Sequence, residues 1–353
     1  MTRISPRLAS LCKVLPARRL SRANLKYLEQ AVPAARRKLY VDEAPSAPAR
    51  TTAEDALEVL SVECGRRAIQ EAGLGTADID YFITCETGAT GQPIATLIQR
   101  ELGVSPLVQA LALQNGACGM IDALGLAADL VAAGQCQQVL VVAPAIWDIR
   151  GEGLLDPTDP SYAMFGDAVA AAVVSDTGNM AKLLAYRSAT DGTPYEMMGA
   201  RLRDRRDCTL SPFAPVGSAQ VMHGAYVDIG DDALDWMEGS AAGLLTRVVA
   251  GALSDADAAG ESVDWVAWQP FGSAGSTWLT ALRAAMPWAR PADRFSELGW
   301  TGAAGPMLSL DRIRQSAAAG ARIIIAGIGE GGQAAALLIE AGPGFPVGPA
   351  SAV

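Results

Sequence analysis

Three runs in this chain are apolar without alternation: QVLVVA at 138–143, AVAAAVV at 168–174 and IIIA at 323–326. A strand with apolar side chains on both faces must be covered on both faces, which a half-solvated antiparallel sheet does not provide. Helix-period stretches separate these runs. Thr52 is placed to cap a helix over 51–73, whose apolar stripe is Leu57, Leu60, Val62, Ala68 and Ile69 and which Gly73 and Gly75 stop. Ile94–Leu102 reads as a helix closed by Gly103, and Met120–Ala133 as one closed by Gly134. Strands are predicted at Ile79–Thr84 and Leu107–Leu113. A second set follows: a largely helical Val227–Leu253, a strand at Trp265–Trp268, helices at Ser276–Ala285 and Met307–Ala319, a strand at Arg322–Ala326 and a closing segment at Gln333–Glu340. Such alternation implies an α/β protein with a parallel or mixed sheet under helices. Two similar βα halves meet near residues 176–182, so the expected division is 1–178 and 179–353. Residues 1–50, rich in Arg, Pro and Ala, offer one helical patch near Asn24–Ala35, and Gly342–Val353 reads as a frayed tail.

Scarce residues narrow the chemistry. One histidine, His223, serves the whole chain of 353 residues, so a zinc site with two His ligands is excluded. The 28 Lys and Arg against 38 Asp and Glu leave a net charge of −10, which argues against a nucleic-acid partner. The six cysteines form no C-x-x-C pair, which suits reduced thiols in a cytoplasm. The basic N-terminus lacks the apolar run of a signal peptide, and no run of about 18 apolar residues suggests a membrane span.

Four segments carry a resemblance. They are AIQEAGLGTADIDYFITCETGAT (68–90), NGACGMIDALGLAADLVAAGQCQQVLVVA (115–143), DPTDPSYAMFGDAVAAAVV (156–174) and ARIIIAGIGEGGQAAALL (321–338). Together they resemble the ketoacyl-ACP synthase III group of the thiolase superfamily. The resemblance covers most of 50–340 and implies the thiolase fold: two stacked βαβ halves in five layers, αβαβα, with the nucleophile helix in the first half and the second completing the site. It also implies a homodimer, no tightly bound cofactor, and an acyl donor that is a CoA thioester or the phosphopantetheine of an acyl-carrier protein.

The family works through Cys, His and Asn. Cys118, just before the helix, is the nucleophile candidate by a one-residue slip in the loop; aligned without gaps, the nucleophile position falls on Ala117. In VDWVAWQPFGSAG the His position falls on Gln269, beside Trp268 and Phe271, and in GWTGAAG Trp300 replaces the Asn. Neither Gln nor Trp shuttles a proton near neutral pH, although each can donate a hydrogen bond to an oxyanion. Decarboxylative condensation is therefore not expected. What the resemblance leaves is a subgroup of natural-product pathways that moves an acyl group onto a hydroxyl or amine, pactamycin-type aromatic acyl transfer being the nearest guess. Its competitors are a catalytically silent subunit of a heterodimer and a thioester hydrolase.

Other candidates are more local. Glu330 in GIGEGG is a general base if burial raises its pKa, or a solvent-facing turn residue, with Gly329 and Gly331 supplying backbone donors to an oxyanion hole. His223 is a base candidate or an ordinary surface or core histidine. Glu86 approaches a substrate pocket or sits in a turn. Arg201, Arg203 and Arg205 meet an acidic carrier protein or form a solvated loop. Asp156, Asp159 and Asp167 read as structural. GIGEGG is not a nucleotide-binding loop, since neither the Walker pattern nor an acidic residue about 20 positions on accompanies it.

Overall fold

The structure is a computed structural model describing residues 5–19, 49–50, 57–86, 94–146, 164–196, 198–203, 224–229, 231–269, 274–292 and 295–346. The first half contains β1 (Arg7–Val14), β2 (Arg18–Arg19), β3 (Ala49–Arg50), α1 (Leu57–Glu71), β4 (Tyr81–Cys85), α2 (Ala95–Leu102), β5 (Gln109–Leu113), α3 (Gly119–Ala132), β6 (Gln138–Ala145) and β7 (Ala168–Ser175). After it come β8 (Ala181–Thr190), β9 (Met198–Arg203), β10 (Gly224–Ile229), α4 (Asp231–Glu238), α5 (Ser240–Asp255), β11 (Trp265–Trp268), α6 (Ala274–Ala285), β12 (Arg290–Ala292), α7 (Phe295–Leu298), α8 (Gly305–Ile313), β13 (Arg322–Ile328) and β14 (Gln333–Ala341).

Ten strands run in the order β12-β11-β13-β14-β8-β1-β7-β6-β4-β5. Five come from each side of residue 178, and each five repeats one pattern. β5 and β6 flank β4 in parallel, and β7 then β1 add antiparallel. β12 and β13 flank β11 in parallel, and β14 then β8 add antiparallel. The two fives touch through a short seam, Arg7 opposite Lys182 and Leu8 opposite Ala181.

Helix α3 explains the layering. Its sequence, GMIDALGLAADLVA, is apolar around most of its circumference, the signature of a helix with no solvent side. It packs against β4, β6 and β7 of one five and β8, β13 and β14 of the other, and so lies between them. Small residues permit this: a Cβ on Gly125 would sit 2.5 Å from the Tyr186 ring. Helix α8 shares the central layer, touching β1 and β7 as well as β11, β12 and β13. Helix α1 covers the outer face of β1, β6 and β7, and α5 that of β8, β13 and β14. The expected αβαβα arrangement is the one observed. Among the described residues no helix is long and apolar enough to cross a membrane.

Several expectations need correcting. Arg7–Val14 is a central strand, although its Arg- and Pro-rich surroundings suggested none; residues 24–35 lie outside the described residues. Val227–Ile229 extends β10 rather than a helix, because it pairs with β9. Helix α8 ends at Ile313, short of Ala319. The start of the tail is anchored: Phe345 is fully buried, and Gly342 and Gly344 donate to the carbonyls of Met180 and Asn179.

Arg314 ties these parts together. It is buried; its Nε donates to the Phe345 carbonyl at 3.1 Å, Nη1 to the Leu11 carbonyl at 3.0 Å, and Nη2 pairs with Glu71 at 3.1 Å. Arg314→Met keeps much of the volume and strands those acceptors. Denaturant unfolding is expected to show a loss of about 2–4 kcal/mol; a loss below about 0.5 kcal/mol would mean that the anchor is dispensable.

Candidate active site

The site forms where two single turns of 3-10 helix meet. Residues Gly116–Cys118 lead into α3, and Gly302–Ala304 lead into α8. The strand ends of β13 and β14 close the corner, carrying between them the turn with Glu330. The N-terminus of α3 points its free amides at this corner and favours negative charge there.

Glu330 supplies that charge. Part of the residue remains exposed, while its carboxylate is enclosed by protein. Oε2 accepts the Ala117 backbone N–H at 3.0 Å, and Oε1 accepts the Trp300 indole N–H at 3.0 Å. Burial raises its pKa above the ordinary carboxylate value, opposed by these two hydrogen bonds and by its own backbone N–H. Room for the carboxylate depends on Gly116, which has φ +52° and on which a Cβ would lie 1.6 Å from Glu330 Oε2.

The structure places the two candidates of the nucleophile loop in different surroundings. Ala117 is the residue whose amide meets Glu330, and it belongs to the apolar cluster that holds Trp268 and Trp300. Cys118 belongs instead to the central core with Cys85, Ile121 and Ala303. It has no exposed surface, and its thiol donates to the Gly327 carbonyl at 3.2 Å, with the Gln333 carbonyl at 3.5 Å. Burial pushes its pKa well up, and Asp122 and Glu330 push the same way. An activated thiol needs the reverse. Cys118 is thus a buried thiol whose Sγ faces the Gly327 carbonyl, one position beyond the amide that meets Glu330.

The expected oxyanion donors are also committed elsewhere. Gly329 N–H donates to the Gln333 carbonyl at 2.7 Å, and Gly331 N–H to Gln333 Oε1 at 3.1 Å. Trp300 donates to Glu330. Gln269, expected to donate to an oxyanion, spends its amide on the Gly299 carbonyl at 3.0 Å and the Thr301 hydroxyl at 2.9 Å. Trp268 is buried among apolar side chains with its indole N–H unpartnered. Glu86 is buried, and its Oε1 accepts the Ile94 N–H at 2.9 Å and so holds the start of α2. Asp167 is fully buried, in line with a structural part.

His223, Phe271, Arg205, Asp156 and Asp159 lie outside the described residues. Arg201 and Arg203 stand opposite Tyr226 and Gly224 in the β9–β10 ribbon. Sequence reasoning missed the support behind the loop, where Asp122 accepts from Asn115 Nδ2 and the Tyr186 hydroxyl, both at 2.7 Å. The signal was an aspartate in the first turn of an otherwise apolar helix. Among the described residues no cluster of His, Cys, Asp and Glu is arranged to hold a metal.

Two outcomes test this geometry. Under native alkylation, peptide mass spectrometry should find partly exposed Cys136 modified long before Cys118; rapid labelling of Cys118 would contradict its burial. Gly116→Ala should cost about 1–3 kcal/mol, from left-handed backbone and a displaced Glu330, and an unchanged melting temperature would count against the carboxylate's position.

Comparison with known proteins agrees with this fold. Residues 112–192 match the family described as 3-Oxoacyl-[acyl-carrier-protein (ACP)] synthase III. A β-ketoacyl-[acyl-carrier-protein] synthase III of Streptomyces lividans is 33% identical over 124 residues, which are 34% of this chain and 35% of that one. The match thus spans about a third of the relative's length. The crystal structure of the synthase III from Aquifex aeolicus VF5 superposes with a TM-score of 0.75 at 20% identity, covering 95% of this chain and 99% of that one. The priming β-ketosynthase of the R1128 polyketide biosynthetic pathway gives 0.75 at 21% identity, covering 97% and 98%. The chain therefore shares the fold of these solved structures, and residues 112–192 carry a sequence pattern similar to that of ketoacyl-ACP synthase III.

Proposed function

We propose that this chain transfers an acyl group from a carrier-protein or CoA thioester to an amine or hydroxyl of a small-molecule acceptor. It does so without decarboxylative condensation and without a cysteine-bound intermediate. The observation that carries the reading is the enclosed carboxylate of Glu330, held by the Ala117 and Trp300 N–H groups beside the N-terminus of α3, with a pKa that burial raises. A carboxylate with a raised pKa at a helix terminus, in the corner where this fold does its chemistry, is a general-base candidate.

In this reading the halves 1–178 and 179–353 contribute Ala117 and Glu330 respectively, and the unit is a homodimer in the cytoplasm. The acceptor's lone pair attacks the thioester carbonyl carbon as Glu330 takes the acceptor proton. The Trp300 and Ala117 N–H groups, released by the now neutral carboxyl, become available to the developing oxyanion. The C–S bond then breaks, and the pantetheine thiolate leaves with the proton from Glu330. Trp268 and Trp300 suit an aromatic acyl chain of the kind handled in antibiotic pathways, with Phe271 beside them. Arg201, Arg203 and Arg205 serve carrier docking, and His223 is kept as an alternative base.

A second reading, a catalytically silent subunit that completes a heterodimer, is favoured by the burial of Cys118, the thiol next to Ala117, in the central core. Thiol release from a panel of acyl thioesters, with and without acceptors, separates the two. Glu330→Gln should lower acceptor-dependent release about a hundred- to ten-thousandfold, while Cys118→Ala keeps the wild-type rate. An acyl adduct that disappears in Cys118→Ala would overturn the proposal, and no release with any donor would favour the silent subunit. Release without an acceptor would indicate a hydrolase. The wild-type rate should fall as pH drops through the raised Glu330 pKa, because the charged form is the base. The midpoint belongs above 4.5 and should vanish from the profile of Glu330→Gln.

A further inference from the structure

Helix α3 carries two aspartates. Asp129 is exposed, whereas Asp122, in the first turn, is only 9% exposed. Burial raises the Asp122 pKa, opposed by the hydrogen bonds that Asn115 and Tyr186 donate to it. An apolar side chain would fill this place at a smaller desolvation cost. The carboxylate is explained instead by what it holds.

It holds both sides of the corner. Oδ2 accepts Asn115 Nδ2 at 2.7 Å. Asn115 immediately precedes the 3-10 turn Gly116–Cys118, and its carbonyl accepts the Cys118 N–H at 3.1 Å, so fixing Asn115 orients the Ala117 amide that lies between. That amide donates to Glu330 Oε2. Oδ1 of Asp122 accepts the Tyr186 hydroxyl at 2.7 Å. Tyr186 stands opposite Leu337 where β8 pairs with β14, the strand that leaves the Glu330 turn. The turn also rests on Asn115 directly: a Cβ on Gly329 would lie 2.6 Å from the Asn115 carbonyl oxygen. Donor and acceptor of the Ala117–Glu330 hydrogen bond are thus referenced to one buried carboxylate from the two halves of the chain.

We infer that Asp122 is a positioning residue: by holding Asn115, with Tyr186 fixing its own place, it sets the approach of the Ala117 N–H to Glu330. Its consequence for turnover rests on the acyl-transfer reading, but the contact itself does not.

The test reads Glu330 through Trp300, whose indole N–H it accepts. The full chain is labelled with 5-fluorotryptophan, and the fluorine resonance of Trp300, one of seven tryptophans, is assigned by its loss in Trp300→Phe. The step in its pH titration that vanishes in Glu330→Gln belongs to Glu330. The other titratable groups around the corner are Cys118 and Asp122 from α3, and Tyr186 and Asp191 from β8 and its end, while residues 299–305 carry none. Cys118 and Tyr186 stay neutral because their pKa values are raised, and Asp191 stays charged because its pKa is lowered, so of these only Asp122 changes charge beside Glu330.

A hydrogen bond to the charged form favours it, so loosening the Ala117 contact raises the Glu330 midpoint. Asp122→Leu removes both acceptors and should lower the Glu330 acid dissociation constant about tenfold. Asp122→Asn keeps an acceptor for Asn115 and should leave the midpoint near its wild-type value. Both substitutions remove the same charge, and loss of a neighbouring anion alone would move the midpoint down in both. A fold loosened elsewhere would lower the melting temperature and leave the midpoint in place. Asn115→Ala, which keeps Asp122, should raise the midpoint as Asp122→Leu does, and it decides the matter where Asp122→Leu does not fold. Equal shifts in the Leu and Asn variants, or an unmoved midpoint in Asn115→Ala, would overturn the inference. The expected shifts with no thioester release by wild type would retain the positioning role and reject the acyl-transfer reading. Acceptor-dependent release that Glu330→Gln abolishes, with unmoved midpoints, would do the reverse.

Discussion

Burial of α3 between two sheets is the constraint on which the rest depends. A helix with no solvent side must be built from small and apolar residues, and GMIDALGLAADLVA is. Its placement forces the two five-stranded sets to face one another across it and leaves only its ends open to chemistry. The N-terminal end, with its unpaired amides, is where residues from both halves converge. Site and fold therefore share one cause. The 3-10 turn at 116–118 delivers α3 to the corner, and its counterpart at 302–304 delivers α8 to the same place.

The charge held there is a carboxylate on a turn rather than a thiolate on the helix. Glu330 satisfies one amide of the turn that leads into α3 and the only N–H of the Trp300 side chain, so Trp300 is more than packing. Without an acceptor its indole N–H would be buried and unpaired. Gln269 is held in turn by the residues on either side of Trp300. Ala117, Gln269 and Trp300 are thereby joined to Glu330 through one short stretch of chain, Gly299–Thr301.

Much of the fold was legible because uninterrupted apolar runs leave few alternatives: β6, β7 and β13 appear within a few residues of where the runs place them. β1 was not legible, because its strand is set among Arg and Pro, and its partner strands lie on the order of 150 positions or more along the chain, beyond any local pattern. At the corner the sequence offered candidate residues but not the bonds between them. GIGEGG marked Glu330, yet the commitments of Gly329 and Gly331 to Gln333 follow from a turn geometry that composition does not reveal. Gln269 could be read as a donor to substrate only while Gly299 and Thr301, far along the chain, were unknown partners.

The register of the nucleophile loop shows how charge decides where pattern does not. One amide at the start of α3 can hold one anion closely. With Glu330 on the Ala117 N–H, a thiolate at residue 117 would face a carboxylate across a desolvated gap, and each would raise the other's pKa. Alanine at 117 removes the conflict, while the pKa of Cys118, turned into the core, is raised chiefly by burial, with Asp122 and Glu330 adding to it. The carboxylate and a reactive cysteine are thus alternatives for a single anion site. In this chain Gly116 makes the space, Trp300 adds the second donor, and both favour the carboxylate.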